Sequence, residues 1–390
     1  MIRTILVLFW GLFFGACTAQ NENESLQVGA IQTEKYLPRV QGKSVGVVVN
    51  NTSVVDGKHL VDFLREKDVN VSKIFAPEHG FRGDVSAGGE VDDGVDTETG
   101  LPVFSLYGET RKPTVEHLAG LDLMIFDIQD VGCRFYTYIS TLHLVMEACA
   151  ENDVPLLVLD RPNPNGDYVA GPLRKEGFES FVGMDPIPIV HGCTVGELAQ
   201  MINGEGWLNN QVKCELTVVP VKNYEHRLLY SLPVRPSPNL PNDLAIRLYP
   251  SLCLFEATSV SVGRGTDFPF QVLGGPKEDL GPFQFTPRSI PGVAINPLNK
   301  DKTCYGVDLR ELDEAPRFTL KFFIDFYEKY ADKSEFLTRE RWLNLLVGTD
   351  DLIQQLRAGK TEQEILKSWE PELESYKQMR KKYLLYPDFE

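Results

Sequence analysis

Four short apolar runs alternate with amphipathic segments in the first half of the chain. The runs are rich in Val, Ile and Leu and contain few polar residues, which is typical of strands buried on both faces of a parallel sheet. Segments with helical periodicity separate them, and this alternation predicts a doubly wound α/β domain. The predicted strands are Ser44–Asn50, Val71–Pro77, Leu121–Asp130 and Val154–Pro162. The predicted helices between and after them are Gly57–Lys67, Thr114–Ala119 and Tyr138–Asn152.

Polar residues stand at the end of each predicted strand. Asn50–Thr52 close the first run, Glu78 and His79 follow the second, Asp127–Asp130 close the third, and Asp160–Asn163 close the fourth. In open parallel sheets, ligands bind outside the carboxyl ends of the strands. We therefore expect these side chains to converge on one rim that forms a functional site.

The pattern changes near residue 193. Thr194 and Glu197 form a predicted capping box at the start of a helix, and a strand, Cys214–Val221, follows. Loops rich in Pro and Gly come next, and their embedded polar residues mark them as more than linkers. These residues are Arg235, Asn239, Arg264 and Asp267. Two further helices are predicted at Arg317–Ala331 and Thr361–Leu384.

Length and charge narrow the class of protein. A chain of 390 residues is too long for one ordinary core, so we predict two domains, residues 26–192 and residues 193–390. The net charge of −16 argues against a nucleic-acid partner, because phosphate binding needs a basic face. A few buried arginines would still suffice to hold an anionic ligand.

The first 25 residues read as an export signal followed by a polar tether. An apolar run follows Arg3 and is short for a stable membrane anchor. Gly15 and Ala16 precede Cys17, which resembles the lipobox of bacterial lipoproteins and predicts lipidation of Cys17. The alternative is plain secretion with cleavage after Ala19. We expect an exported protein, periplasmic or anchored in the outer membrane, with no membrane contact beyond the lipid anchor.

The remaining six cysteines are irregularly spaced and are predicted to be buried free thiols. The alternative in an exported protein is a disulfide, whose pair the sequence does not identify. No set of ligands is spaced for a metal ion. The first strand is not followed by G-x-G-x-x-G and no Walker motif is present, so a nucleotide is not implied. No G-x-S-x-G elbow accompanies the scattered histidines, which argues against a serine triad. We expect an activity without cofactor or metal.

The stretch "FAPEHGFRGD", Phe75 to Asp84, carries the first candidate for chemistry. Glu78 follows a buried strand, where a partly desolvated carboxyl keeps its proton and can donate it. The alternative is a glutamate that bonds loop amides. His79 and Arg82 are expected to orient or bind a ligand rather than to donate a proton.

The segment "FDIQDVGCRFYTYIS" supplies further candidates. Asp127 or Asp130 is either a second carboxylate or the partner of Arg134 in a buried pair. Tyr136 offers a phenol to a sugar or simply packs. In the next loop, "LDRPNPNG", Arg161 is a candidate ligand for a carboxylate. Gln129 and Asn163 complete the polar candidates of this rim.

Eight segments in order resemble the exo-β-N-acetylmuramidase family of bacteria, formerly a domain of unknown function. The resemblance runs from about residue 28 to the C-terminus. The segments are "NNTSVVDGKHLVDFL", "FAPEHGFRGDVSAG", "LPVFSLYG", "FDIQDVGCRFYTYISTL", "LDRPNPNG", "SFVGMDPIPIVHGCTVGELAQMING", "PSPNLP" and "SVGRGTDFPFQVLGGP".

This resemblance implies a Rossmann-like N-terminal domain, a smaller C-terminal α/β domain and an active site in the cleft between them. It implies a glycoside hydrolase that removes N-acetylmuramic acid from the non-reducing ends of peptidoglycan-derived muramoyl oligosaccharides. The catalytic acid of the family motif "PEHG" falls on Glu78. Ser237, Asn239, Arg264 and Asp267 are then expected to face Glu78 across the cleft.

Chemistry agrees with this implication but leaves roles open. Glycoside hydrolysis needs a protonated carboxyl and usually a second carboxylate, for which Asp127, Asp130, Asp84 and Tyr136 remain alternatives. The lactyl carboxylate of muramic acid needs a cation. The available cations in the motif loops are Arg82, Arg134, Arg161 and Arg264. A catalytically silent module that binds wall glycans is the second hypothesis, and a pocket that joins Glu78 to another carboxylate would argue against it.

Overall fold

The structure is a computed structural model, and it describes residues 25–82 and 93–390. Its strands are β1 (Ser44–Val49), β2 (Val54–Val55), β3 (Lys58–His59), β4 (Asn70–Ala76), β5 (Gly94–Val95), β6 (Pro102–Ser105), β7 (Leu123–Asp127), β8 (Leu156–Leu159), β9 (Ala170–Leu173), β10 (Pro188–Val190), β11 (Leu216–Val219), β12 (Val272–Gly275), β13 (Phe283–Phe285) and β14 (Cys304–Asp308).

A seven-stranded sheet forms the centre of the described residues, in the order β11-β8-β7-β1-β4-β6-β5. All its neighbours pair in parallel except the edge pair of β5 and β6. The sheet begins with β1 and extends on one side through β4 and β6. Strands β7, β8 and β11 then extend it on the other side of β1. This is the order of a doubly wound Rossmann-like sheet, so the predicted α/β class is confirmed.

The sheet continues beyond the predicted domain boundary at residues 192 and 193. Strand β11 pairs with β8 in parallel, with Leu216 opposite Leu156. The boundary itself stays a prediction. The C-terminal region after β11 contains a three-stranded antiparallel sheet in the order β12-β14-β13, surrounded by helices.

The helices are α1 (Thr33–Val40), α2 (Leu60–Glu66), α3 (Val115–Leu118), α4 (Tyr138–Glu151), α5 (Val195–Glu205), α6 (Asp243–Leu252), α7 (Lys321–Lys329), α8 (Lys333–Phe336), α9 (Glu340–Val347), α10 (Asp351–Arg357) and α11 (Glu362–Arg380). The predicted capping box of Thr194 and Glu197 begins α5. Sequence patterns did not indicate α1, α6, α8, α9 or α10. Within residues 25–82 and 93–390, no helix has the length and apolar character needed to cross a membrane.

Alternate residues of the strands face two different cores, as the pleat of a strand requires. In β1, Val47 packs with Tyr36 of α1 and Leu64 of α2 on one face. Val48 belongs to the opposite core, which also contains Phe255 from the C-terminal region. The two halves of the chain therefore share one apolar core. All six cysteines of residues 25–82 and 93–390 are buried free thiols, as predicted.

Arg134 joins the two halves through hydrogen bonds to backbone carbonyls. Its guanidinium donates to Pro172 and Ile187 of the β9–β10 hairpin region at 2.9 and 2.6 Å. It also donates to Leu346 and Val347, the last turn of α9, at 2.9 and 2.6 Å. Burial lowers its pKa to about 9, so the guanidinium remains charged at neutral pH. A cation suits the C-terminus of a helix, where the carbonyls are otherwise unpaired.

Replacing Arg134 with Met should destabilise the fold strongly. The variant keeps most of the side-chain volume but leaves buried carbonyls without donors, each at a cost of about 1–3 kcal/mol. We expect the free energy of unfolding in urea to fall by roughly 3 kcal/mol or more. The exposed Arg65 on α2, changed to Met, is the matched control. Equal stability of the two variants would contradict the proposed role of Arg134.

Candidate active site

A strained turn follows β4 and carries Glu78. The amide of Gly80 donates to the carbonyl of Pro77 at 3.0 Å, which closes the turn. His79 has φ 73°, a left-handed conformation that is uncommon for a residue other than Gly. The ring Nε2 of His79 lies 3.1 Å from Ser237 Oγ, and the side chain is only 4% exposed. These contacts hold the strained turn in place, as is typical of functional sites.

Hydroxyl groups surround the half-buried Glu78. Thr137 Oγ1 donates to Glu78 Oε2 at 3.1 Å. The Tyr138 hydroxyl lies 3.3 Å from both the Glu78 carbonyl and the Pro236 carbonyl. Burial, and after it the charge and hydrogen bond of the Glu78 carboxylate, raise the pKa of Tyr107 above its ordinary range. The Glu78 carboxyl is therefore oriented by neutral hydroxyl groups from the loop after β6 and the start of α4.

Glu78 lines a cavity of about 690 Å³ between the carboxyl edge of the large sheet and the C-terminal region. Cavities of this size commonly hold small ligands. Its described charged residues are Glu78, Glu256, Arg264 and Arg339. Its aromatic wall consists of Tyr107, Phe135, Tyr249, Phe255 and Trp342. Two exposed aliphatic side chains, Ile295 and Leu298, stand in a loop that also lines it.

Arg264 faces this cavity together with Glu78. Its Nε and Nη2 donate to Glu256 Oε1 at 3.1 and 2.6 Å, and its guanidinium lies 4.9 Å from the ring centre of Phe270. Burial opposes the charge, but the neighbouring Glu256 carboxylate keeps the pKa of Arg264 above its ordinary value. Asp267 lies on the same loop, is exposed, and does not belong to the described lining.

Ser237 and Asn239 lie behind the cavity lining and support it. Ser237 contacts His79, and its hydroxyl accepts a hydrogen bond from the Asn239 amide at 3.2 Å. Asn239 Nδ2 donates to the Val293 carbonyl at 3.0 Å, and Val293 lines the cavity. Both predicted residues therefore connect the turn of Glu78 to the opposite wall rather than contributing to the lining themselves.

The crevice between β1 and β7, where Rossmann-like sheets often bind ligands, is closed by internal contacts. Asp127 at the end of β7 is fully buried and pairs with Arg161 through bonds of 2.6 and 2.9 Å. Ser53 donates to the Asp127 carbonyl, and the Gln129 amide donates to Thr52 Oγ1 at 3.0 Å. Asp127, Gln129 and Arg161 are therefore occupied in binding the loops of this edge to one another.

Asp130 and Asn163 are buried beneath the same edge. Asp130 Oδ2 accepts from the Gly132 amide at 2.6 Å and lies 3.4 Å from His191 Nε2. Asn163 Nδ2 donates to the Cys193 carbonyl at 2.8 Å. Neither residue belongs to the described lining of the cavity.

The remaining candidates also contact protein groups. The Tyr136 hydroxyl donates to the Pro236 carbonyl at 2.8 Å. Arg82 pairs with Asp96 through bonds of 3.1 and 3.0 Å, and Arg134 binds the carbonyls described above. Asp84 and Cys17 lie outside the described residues. In the described part of the chain, no group of three or more His, Cys, Asp and Glu side chains is arranged for a metal ion.

Family models match both halves of this fold. Residues 45–244 match the N-terminal domain, and residues 247–386 the C-terminal domain, of the exo-β-N-acetylmuramidase NamZ. The chain belongs to the exo-β-N-acetylmuramidase family. The resemblance predicted from its motifs is thereby confirmed.

Individual members of the family also align with nearly the whole length of this chain. The peptidoglycan β-N-acetylmuramidase NamZ of Bacillus subtilis strain 168 is 37% identical in an alignment 422 residues long, gaps included, which covers 99% of this chain and 100% of the relative. A crystal structure of a DUF1343 family protein from Bacteroides fragilis has a TM-score of 0.86 at 47% identity, and a second from that organism has 0.78 at 29%. Each alignment covers 93% of this chain and 99% of the solved one.

Several lining residues of this family member were not predicted from its sequence. Glu256 is a lone carboxylate in the apolar segment "SLCLFEATSV", a signal that a buried charge needs a partner. The sequence gives no such signal for Arg339. It lies in the charged stretch "TRERW", which is typical of a solvent-exposed segment. The only polar side-chain group of Thr137 and of Tyr107 is a hydroxyl. Hydroxyl groups are common in loops, so they do not mark a functional site in the sequence.

His143 anchors one wall of the cavity. Its Nδ1 lies 2.8 Å from Asp185 Oδ1, and Asp185 belongs to the loop that brings Val182 to the lining. Burial lowers the pKa of His143, but Asp185 and the nearby Glu147 outweigh it, so the pKa is raised above 6.5. The contact between His143 and Asp185 ties this loop to α4, and it is strongest when the imidazole is protonated.

Changing His143 to Gln should therefore cost most stability in mildly acidic solution. Because the folded pKa is raised, the contribution of His143 is complete below the unfolded pKa of about 6.5 and is lost as pH rises through the folded value. We expect a difference in unfolding free energy of about 1–3 kcal/mol near pH 6 that shrinks toward pH 9. Urea titrations at several pH values would measure it. A difference that grows with pH would contradict the protonated pair.

Proposed function

We propose that this protein releases N-acetylmuramic acid from the non-reducing ends of peptidoglycan fragments, with Glu78 as the general acid. Membership in its family makes it a glycoside hydrolase that acts on peptidoglycan. The observation that carries the assignment of Glu78 is its position. It is half-buried, is hydrogen-bonded by Thr137, and faces a cavity large enough for a sugar.

The reaction needs a proton at the leaving oxygen and water at the anomeric carbon. Glu78 donates its proton as the bond between the anomeric carbon and the leaving oxygen breaks, and water supplies the new hydroxyl while its other proton passes to a carboxylate. The second described carboxylate of the cavity is Glu256, which is ion-paired with Arg264. Asp127 and Asp130 stand behind the lining, so Glu256 replaces them as the preferred candidate for the second carboxylate.

Tyr249 and Trp342 give the cavity broad apolar surfaces, which suit a ligand with both polar edges and apolar faces. The alternative of a silent glycan-binding module is not favoured. Glu78 and Glu256 line one cavity, and the Bacillus subtilis relative is named as a peptidoglycan β-N-acetylmuramidase.

Changing Glu78 to Gln tests the general acid. We expect the release of N-acetylmuramic acid from a natural disaccharide to fall roughly 10²–10⁴-fold, because the leaving oxygen loses its proton donor. The loss should be smaller for a nitrophenyl glycoside, since nitrophenolate departs with little protonation. Comparing the two substrates in both proteins gives the result. Near-wild-type rate on the disaccharide would exclude Glu78.

We further propose that Cys17 is lipidated and anchors an exported protein at a membrane. The apolar run and the sequence Gly15-Ala16-Cys17 support this. Labelling with a radioactive fatty acid should mark the wild-type protein and leave the Cys17→Ala variant unmarked. Plain secretion after Ala19 would leave both proteins unmarked.

A further inference from the structure

The chemical difference between the sugars of peptidoglycan defines what this cavity has to recognise. N-acetylmuramic acid is N-acetylglucosamine with a lactyl ether on O3, and that ether ends in a carboxylate. An enzyme that releases N-acetylmuramic acid but not N-acetylglucosamine needs a group that distinguishes a carboxylate from a hydroxyl. A guanidinium does so through its charge and its paired donors. This inference rests on the proposed function.

We infer that Arg339 binds the lactyl carboxylate of the terminal sugar. Arg339 lines the same cavity as Glu78 and has an exposed side chain. Its guanidinium makes only neutral contacts among the described residues, with the Glu256 carbonyl at 3.4 Å and the Trp342 ring at 5.2 Å. Within residues 25–82 and 93–390, no carboxylate lies within 4.0 Å of it. Its charge is therefore available to a ligand.

The other arginines considered for this role already have partners. Arg82 binds Asp96, Arg161 binds Asp127, and Arg134 binds four carbonyls. Arg264 reaches the cavity, but Glu256 occupies its Nε and Nη2. Moving one of these arginines to a substrate would leave a carboxylate or well-bonded carbonyls unpaired, whereas Arg339 would give up only its long contact of 3.4 Å with the Glu256 carbonyl.

The charge of the cavity supports this choice. Arg264 and Glu256 cancel each other, and the general-acid role proposed for Glu78 requires the neutral form of its carboxyl when substrate binds. Among the described lining residues, Arg339 then leaves one positive charge. That charge matches the single negative charge of the lactyl group.

The backbone around Arg339 is well anchored. The Arg339 amide donates to the Ala257 carbonyl at 3.0 Å, and the Leu343 amide donates to the Arg339 carbonyl at 3.0 Å. Helix α9 begins at the next residue, and Arg134 binds its last carbonyls. The subsite is thus built on a fixed helix, with only the side chain of Arg339 left to adjust.

The test compares two nitrophenyl β-N-acetylmuraminides, one with the free lactyl acid and one with the neutral lactyl carboxamide of nearly the same size. For Arg339→Gln we expect kcat/KM to fall roughly 10–100-fold on the acid and to stay near wild type on the amide. Arg339→Lys should recover part of the activity on the acid. The matched control is Arg341→Gln, an exposed arginine of α9 outside the described lining.

Equal losses on acid and amide would overturn the inference, because they would indicate a structural role. Unchanged kinetics would also overturn it, as would an Arg264→Gln variant that alone lost the preference for the acid. Calorimetric binding of free N-acetylmuramic acid separates this inference from the proposed function. If the wild-type protein hydrolysed neither glycoside, the proposed function would fail. Weaker binding of N-acetylmuramic acid by Arg339→Gln than by the wild-type protein would still support the subsite. Equal binding by the two proteins would reject it.

Discussion

The buried guanidinium of Arg134 is the interaction on which the two-part architecture depends. It follows β7 in the large sheet and binds carbonyls of the β9–β10 region and of the last turn of α9. A planar group with five donors can satisfy several carbonyls at once, which an ammonium cannot do in the same geometry. Since α9 starts directly after Arg339, the same contact that joins the halves also places one end of the cavity wall.

The cavity itself results from contacts between residues far apart in the chain. Glu78 is carried by a strained turn after β4, and the strain is offset by Ser237 from the loop before α6. Asn239 extends the same connection to the loop at Val293. The opposite wall holds Glu256 and Arg264, which neutralise each other. A proton donor and an ion pair therefore meet only where the sheet edge and the C-terminal region come together.

The sheet also explains why a Rossmann-like fold here serves a glycosidase. In dinucleotide-binding proteins, the crevice at the switch in strand order receives the cofactor. Here the corresponding loops after β1 and β7 bind each other, and Asp127 pairs with Arg161 beneath them. The open space lies one strand away, at the end of β4. A shared strand order thus does not imply a shared ligand.

The sequence alone determined five of the six parallel strands, all except β6, together with the capping box of α5 and the position of Glu78 after a strand. Apolar periodicity and capping are local properties, so they can be recognised in this way. The sequence also indicated that polar residues gather at the carboxyl edge. Only the tertiary structure decided which of them face the cavity. Asp127, Asp130 and Arg161 became internal supports, while Glu256 and Arg339 joined the lining. The physical reason is that pairing between charges depends on distances across the fold, which residue type and spacing along the chain do not encode.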